Sequence, residues 1–145
     1  MKENLQTSKV LLDMKNVIEF YNRLATNAAE EAGITRPEGD ILIFLRNNPD
    51  HNSAKDIVKL KGVSKAYVSK AVEPLLQKGL IEIEVDATDR RCQHLTLTEK
   101  AAPIVEIFHE MQKDFINKLT SGIDPEELNI HWKVTAQFSQ NALKY

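Results

Sequence analysis

The stretch from Ser53 to Leu97 constrains the fold of this chain more than any other, because two helix patterns and two strand patterns follow one another within it. Ser53 is followed three residues later by Asp56, which is the spacing of a capping box at a helix N-terminus. Gly62 can take the positive φ that ends a helix, and Ser64 can cap the next one. The first half of the stretch is therefore predicted to fold as two helices joined by a turn.

The second of these helices has an apolar inward face whose residues lie three and four apart, namely Val68, Ala71, Val72, Leu75 and Leu76. Pro74 lies within this pattern, and because the apolar spacing continues beyond it, we expect a kink there rather than an end. Gly79 ends the helix. Residues 80–85 and 93–97 then alternate apolar and polar side chains, which predicts two strands joined by a loop over residues 86–91.

Amphipathic helices are predicted before this stretch. The first runs from Leu5 to about Ala32, with one apolar face made of Val10, Met14, Val17, Tyr21, Leu24 and Ala28. It is longer than the core of a small monomer needs, so part of its face is expected to meet another subunit. A second helix begins with the capping-box spacing of Thr35 and Glu38 and ends before Pro49.

Two more helices are predicted after the strands. Thr98 can cap the first of them, and its apolar side carries Ile104, Phe108, Met111, Phe115 and Leu119. The last helix starts at Asp124, with a proline in the first turn and two glutamates at the positive end of the helix dipole. The chain is thus predicted to be mainly α-helical, with one small β-hairpin.

Charge is distributed unevenly along the 145 residues, which suit a single domain. The formal net charge is −2, yet residues 51–78 hold six lysines and two acids, a net of +4, so the remainder carries −6. Such a local basic patch can bind phosphate, because screening makes the nearest charges count most. The alternative is that these lysines only solvate a helix face.

The single cysteine, Cys92, cannot form an internal disulfide, which fits a reducing compartment. No run of residues approaches the ~18 apolar residues of a membrane span, and the start MKENLQTSKV has no apolar signal core. We therefore expect a cytoplasmic protein that does not contact the membrane.

Helix, turn, helix and strand pair, in this order, form the winged helix-turn-helix motif, which places one helix in a DNA major groove. Four segments of the motif and its surroundings follow one another with characteristic spacing: Gly62-Val63-Ser64-Lys65-x-x-Val68-Ser69-Lys70, Gln77-Lys78-Gly79-Leu80-Ile81, Asp89-Arg90-Arg91 and Leu95-Thr96-Leu97-Thr98-Glu99-Lys100. In these segments the chain resembles the multiple-antibiotic-resistance regulator (MarR) family of bacterial winged-helix repressors.

The resemblance covers nearly the whole chain and implies one MarR-like domain over residues 1–145. Residues 35–98 would be the winged helix-turn-helix part that binds double-stranded DNA. Residues 4–32 and 99–145 would be helices that interlock two copies into a homodimer. A two-fold dimer places its two reading helices about one DNA turn (~34–36 Å) apart, so the operator is expected to be an inverted repeat.

The helix after Ser64 would enter the major groove, and the loop with Asp89, Arg90 and Arg91 would reach the minor groove. There a carboxylate could hold the Arg91 guanidinium in one orientation. Tyr67 could contact DNA or pack against the helix that follows Ser53. The expected DNA contacts are Lys55, Ser64, Lys65, Ala66, Tyr67, Ser69, Lys70, Asp89, Arg90 and Arg91, with Lys55 on phosphate and Ala66 able to contact a thymine methyl.

The expected function is that of a transcription regulator, a repressor released by a small, largely apolar ligand such as an aromatic acid or a phenolic molecule. Two alternatives remain at this point: a winged-helix protein-interaction module that never binds duplex DNA, and a redox-responsive regulator acting through Cys92. No catalytic motif is present, so we expect no enzyme and no cofactor. The four histidines include no close pair at metal-ligand spacing, so no metal site is expected.

Overall fold

A computed structural model describes residues 6–145 of the chain. It contains six α-helices and one antiparallel β-hairpin: α1 (Thr7–Ala32), α2 (Arg36–Asn47), α3 (Ala54–Lys61), α4 (Lys65–Gln77), β1 (Ile81–Val85), β2 (Gln93–Leu97), α5 (Ala102–Leu119) and α6 (Pro125–Ala142). This mainly helical architecture confirms the predicted fold class. The expected start of the first helix at residue 4 or 5 lies outside the described residues.

The helix ends follow the local signals in the sequence. Ser53 Oγ accepts a hydrogen bond from the Asp56 backbone N–H at 3.1 Å, and the Asp56 carboxylate accepts one from the Ser53 N–H at 3.3 Å, so the predicted capping box is present. Gly62 ends α3 with a φ of 71°, and Ser64 caps α4. Helix α4 continues past Pro74 to Gln77, as the apolar spacing predicted.

Thr98 does not cap the next helix, which corrects the sequence prediction. Its hydroxyl donates to the Gly79 carbonyl at 2.6 Å, and its backbone N–H donates to the Leu80 carbonyl at 3.1 Å. Thr98 therefore ties the end of β2 to the end of α4. A 3-10 turn over Glu99–Ala101 intervenes before α5 begins.

Two groups of buried residues form the core. The first fills the space between α2, α3, α4 and the hairpin, and includes Ile41, Ile57 and Leu75. The second lies between α1, α2 and α5, with Phe108 at its centre. A Cβ on Gly39 would lie 2.1 Å from the Phe108 ring, so α2 and α5 meet closely only because residue 39 is glycine.

Several apolar side chains of the helical parts are not covered by the chain itself. In the first half of α1 they are Leu11, Leu12, Met14, Val17 and Ile18, and helix α6 has no buried residue at all. In the hairpin Ile81 is buried, whereas Ile83 and Val85 are exposed, so the hairpin projects from the core. Within residues 6–145 no helix is long and apolar enough to cross a membrane.

Candidate nucleic-acid interface

Helix α4 presents one continuous exposed surface, which we call the reading face and define as Lys65, Ala66, Ser69 and Lys70. These residues lie one and four positions apart and therefore share a side of the helix. The opposite side packs Val68, Ala71 and Leu75 into the first core group. The reading face carries small, hydroxylic and basic side chains, which suit a close approach to base edges and phosphates.

A buried carboxylate of α2 holds the start of α4. Asp40 is only 4% exposed, and its Oδ2 accepts a hydrogen bond from the Tyr67 hydroxyl at 2.7 Å. Burial, followed by the hydrogen bond to Asp40, raises the pKa of the Tyr67 hydroxyl well above its usual value. The hydroxyl therefore stays protonated and points to α2, not to α3, so a contact of Tyr67 with DNA can involve only the rest of the side chain.

The same carboxylate also reaches helix α1. Arg36 donates from Nε to Asp40 Oδ1 at 2.9 Å, and from Nη2 to the Asn22 side chain at 3.0 Å. A further bond runs from Arg36 Nη1 to the Asn22 carbonyl at 3.4 Å. A chain of polar contacts thus runs from α1 through α2 to the start of α4. We call it the Asp40 relay, and it consists of Asn22, Arg36, Asp40 and Tyr67.

A second buried carboxylate holds the end of α4. Glu38 is 3% exposed, and its Oε2 accepts a hydrogen bond from Lys78 Nζ at 2.6 Å, while Oε1 accepts one from the Thr35 hydroxyl at 2.9 Å. Burial raises the pKa of Glu38, but the bonds from Lys78 and Thr35 outweigh it and hold the pKa below its usual value. Both ends of α4 are therefore fixed to α2 by charged groups.

Several basic side chains near this surface have no acidic partner. Within the described part of the chain, none of the basic residues predicted to bind DNA forms an ion pair, namely Lys55, Lys65, Lys70, Arg90 and Arg91. All five are exposed. Their positive charges are therefore available to a phosphate backbone. Ser64 is exposed too, but its Oγ accepts a hydrogen bond from the Tyr67 backbone N–H at 3.0 Å.

The loop between the strands is ordered by its own acids. We call β1, β2 and residues 86–92 the wing. Asp86 Oδ1 accepts hydrogen bonds from the Thr88 N–H at 2.8 Å, the Thr88 hydroxyl at 2.7 Å and the Asp89 N–H at 3.2 Å. Asp89 Oδ1 accepts from the Arg91 backbone N–H at 3.0 Å. Asp89 thus fixes the loop backbone and does not orient the Arg91 guanidinium, in contrast to the sequence prediction.

His94 joins the wing to the start of α3. Its Nδ1 lies 2.6 Å from Asn52 Oδ1, and its Nε2 lies 2.9 Å from Asp86 Oδ2. The hydrogen bond with His94, followed by those from Thr88, holds the pKa of Asp86 well below its usual value. Ser53 also pairs with His94 in an isolated β-bridge. The base of the wing is therefore fixed to the group of helices α2, α3 and α4, which together with this base we call the reading head.

Sequence reasoning missed Asp40, Arg36 and His94. An acidic residue directly before a buried run, as Asp40 precedes Ile41, was the available signal for the first two, since buried carboxylates need partners. For His94 the signal was the Cys-x-His spacing with Cys92, because residues two apart on an extended chain face the same side.

Two helices joined at Gly62 and followed by a projecting hairpin define a winged helix-turn-helix protein. Residues 32–91 match the sequence model of the MarR family. The MarR resemblance drawn from the sequence motifs is confirmed over this segment, which holds α2, α3, α4 and most of the hairpin. Members of this family are transcription regulators and not enzymes, in agreement with the expectation that the chain is not an enzyme.

Solved structures with the same fold cover nearly the whole chain. A MarR protein from Peptoclostridium difficile is 21% identical, with a TM-score of 0.80, covering 98% of this chain and 92% of its own. MepR of S. aureus, in a DNA complex, is 26% identical with a TM-score of 0.72, covering 92% and 98%. BpsR of Bordetella bronchiseptica, whose DNA binding is regulated by 6-hydroxynicotinic acid, is 21% identical with a TM-score of 0.71, covering 90% and 98%.

Proposed function

We propose that this protein is a cytoplasmic, homodimeric repressor that binds an inverted-repeat operator and is released by a small ligand. One observation carries the proposal. All four residues of the reading face of α4 are exposed, and both ends of this helix are fixed to buried carboxylates of α2. A rigidly held helix with free basic and hydroxylic side chains is suited to reading base edges in a major groove.

The DNA contacts divide into two kinds. Lys65, Ala66, Ser69 and Lys70 would meet the major groove, whereas Lys55 would bind phosphate and set the register without reading sequence. Asp89 would shape the loop that brings Arg90 and Arg91 to the minor groove, where a narrow groove attracts arginine. The complex of S. aureus MepR with DNA supports DNA binding by this fold.

The exposed apolar residues of α1 and α6 support a homodimer. Leu11, Leu12 and Ile18 of α1 are more than half exposed, as are Ile130 and Phe138 of α6. Contiguous exposed apolar surface typically marks an interface. In this proposal residues 4–32 and 99–145 form the dimerisation part and residues 35–98 the DNA-binding part.

A cleft of about 420 Å³ between α1 and α5 is a candidate ligand site. Apolar side chains line it, including Leu24, Ile107 and Met111, but so do four carboxylates, namely Glu31, Glu106, Glu110 and Asp114. These carboxylates disfavour an anion, so a neutral phenol should bind there better than an aromatic acid. A ligand would lower operator affinity only by preferring the geometry that does not bind DNA.

The test is selection of duplexes from a randomised DNA pool, followed by titration of the selected duplex at several salt concentrations. We expect an enriched inverted repeat, and Lys55→Ala should lower the slope of log affinity against log salt by about one phosphate contact. Arg91→Ala should weaken operator binding, while Arg23→Ala, an exposed arginine on α1, should not. If no repeat is enriched, and if Arg91→Ala binds an unselected duplex with the affinity of the unaltered protein, the protein-interaction module is favoured instead.

A further inference from the structure

At the base of the wing, three side chains with different donor atoms converge. His94 Nε2, Asp86 Oδ2 and Cys92 Sγ all lie within 4.8 Å of one another, and Cys92 Sγ is 3.9 Å from His94 Nε2. Tetrahedral zinc, with bonds of about 2.0–2.3 Å, separates its ligand atoms by roughly 3.3–3.8 Å. Two of the three separations, 2.9 Å between His94 Nε2 and Asp86 Oδ2 and 3.9 Å between His94 Nε2 and Cys92 Sγ, lie within about half an ångström of that spacing.

The donor atoms are also oriented from outside. Asp86 Oδ1 is occupied by Thr88 and by the Asp89 N–H, which leaves Oδ2 directed at His94. His94 Nδ1 faces Asn52 Oδ1, so a ring that donates its Nδ1 proton there can give up the Nε2 proton and present the lone pair of Nε2 to an ion. Metal-binding histidines are characteristically held in this way through their second nitrogen.

We propose that Asp86, Cys92 and His94 form a binding site for a zinc ion, with water in the fourth coordination position. Binding replaces the proton of the Cys92 thiol by a zinc–sulfur bond and the Nε2 proton that bonds His94 to Asp86 by a zinc–nitrogen bond, and both protons are released to solvent. The mixed sulfur, nitrogen and oxygen donors favour zinc over calcium or magnesium, which bind oxygen. This site differs from the expectation of no metal site, which was based on the spacing of the four histidines along the sequence and did not consider His94 together with Cys92 and Asp86.

The ion would close the wing loop at its base. Asp86 and Cys92 flank the segment that contains Asp89, Arg90 and Arg91, and their backbones already pair through the Asp86 N–H and the Cys92 carbonyl at 3.0 Å. His94 connects the site to Asn52, the residue before the cap of α3. Zinc would therefore hold the wing tip in one position relative to the reading head, whether or not DNA is bound.

The experiment is a titration of the reduced, metal-free full-length protein with Co²⁺, followed by displacement with Zn²⁺, in the absence of DNA. We expect one ion per chain and a sulfur-to-cobalt charge-transfer band, which reports Cys92 alone because the chain has a single cysteine. Cys92→Ser should abolish the band, and His94→Gln should weaken binding more than tenfold. Asn52→Ala should weaken it by about tenfold, since Asn52 acts only through His94.

His51→Gln is the matched control, because His51 is exposed and one residue from Asn52 but outside the cluster. It should leave cobalt binding and the band unchanged. Hydrogen exchange of the amides of residues 87–91 should slow when Zn²⁺ is added to the unaltered protein and not when it is added to Cys92→Ser. The proposal is overturned if the protein shows no charge-transfer band, if the band survives Cys92→Ser, or if Zn²⁺ only links chains together.

Discussion

The reading head and the helical frame, which we define as α1, α5 and α6, differ in how completely the chain covers its own apolar surface. In the head, α2, α3, α4 and the base of the hairpin enclose a buried group of aliphatic side chains, and charged contacts fix both ends of α4. In the frame, the first half of α1 and all of α6 leave apolar side chains exposed. The head covers its apolar residues within one chain, whereas the frame leaves apolar surface that a second copy would cover in the proposed homodimer.

The largest expected effect comes from comparing two phenylalanines of the frame. Phe108→Ala removes the side chain at the centre of the second core group and should lower the free energy of unfolding by about 3–5 kcal/mol. Phe138→Ala truncates a side chain that is 55% exposed on α6, and should change the unfolding of a single chain by less than ~0.5 kcal/mol.

Urea unfolding at several protein concentrations separates the two variants. The loss in Phe108→Ala should be the same at every concentration, while any loss in Phe138→Ala should depend on concentration, because in the proposed homodimer Phe138 acts through dimerisation. Sedimentation should show a weaker dimer for Phe138→Ala. A concentration-independent loss of several kcal/mol in Phe138→Ala would contradict the comparison.

A smaller effect is expected from the buried charge in the head. Asp40→Asn leaves Arg36 and Tyr67 without their charged acceptor and should lower the free energy of unfolding by about 1–3 kcal/mol. Asp13→Asn is the control, because the exposed pair of Asp13 with Lys9 should contribute less than ~1 kcal/mol. Equal losses in thermal or urea unfolding for the two variants would show that the Asp40 relay does not hold α4.

The smallest effect concerns pH. The pKa of Glu38 is held below its usual value of 4.5, so its contribution to stability is fully present above that value and is lost as the pH falls through the lower, folded-state pKa. Glu38→Gln should therefore reduce the drop in stability over this acid range. The measurement is the midpoint of urea unfolding as a function of pH, and a parallel acid drop in the variant and the unaltered protein would exclude this role.

The sequence predicted those features that depend on neighbours along the chain. The caps at Ser53 and Ser64 involve residues only three positions apart, and the glycine at the end of α3 acts through its own φ. Hydroxyl and carboxylate groups with distant partners were predicted poorly. Thr98 bonds to Gly79, nineteen residues away, and Tyr67 bonds to Asp40, twenty-seven residues away.

In the wing, the sequence also failed to predict a hydrogen-bond partner only two residues away. Asp89 and Arg91 were correctly placed in one loop, but their sequence spacing allows both a bond to the guanidinium and a bond to the backbone N–H. The loop bends at residues 87–88, where the Asp86 carboxylate accepts the Thr88 N–H, and its turn at residues 90–91 brings the Arg91 N–H to Asp89, so the backbone is the partner. Which group a short acidic side chain meets depends on loop geometry that the residue types alone do not fix.

The contact between Gly39 and the Phe108 ring also limits how the molecule can move. Because the Phe108 ring of α5 packs directly against the backbone of α2 at Gly39, the two helices have no free space in which one could shift before the other follows. A ligand that pushes α5 away from α1 should therefore displace α2, and with it the fixed helix α4, in the same step. A response to ligand would then be a rotation of the whole head about the frame, with the internal geometry of the reading face unchanged.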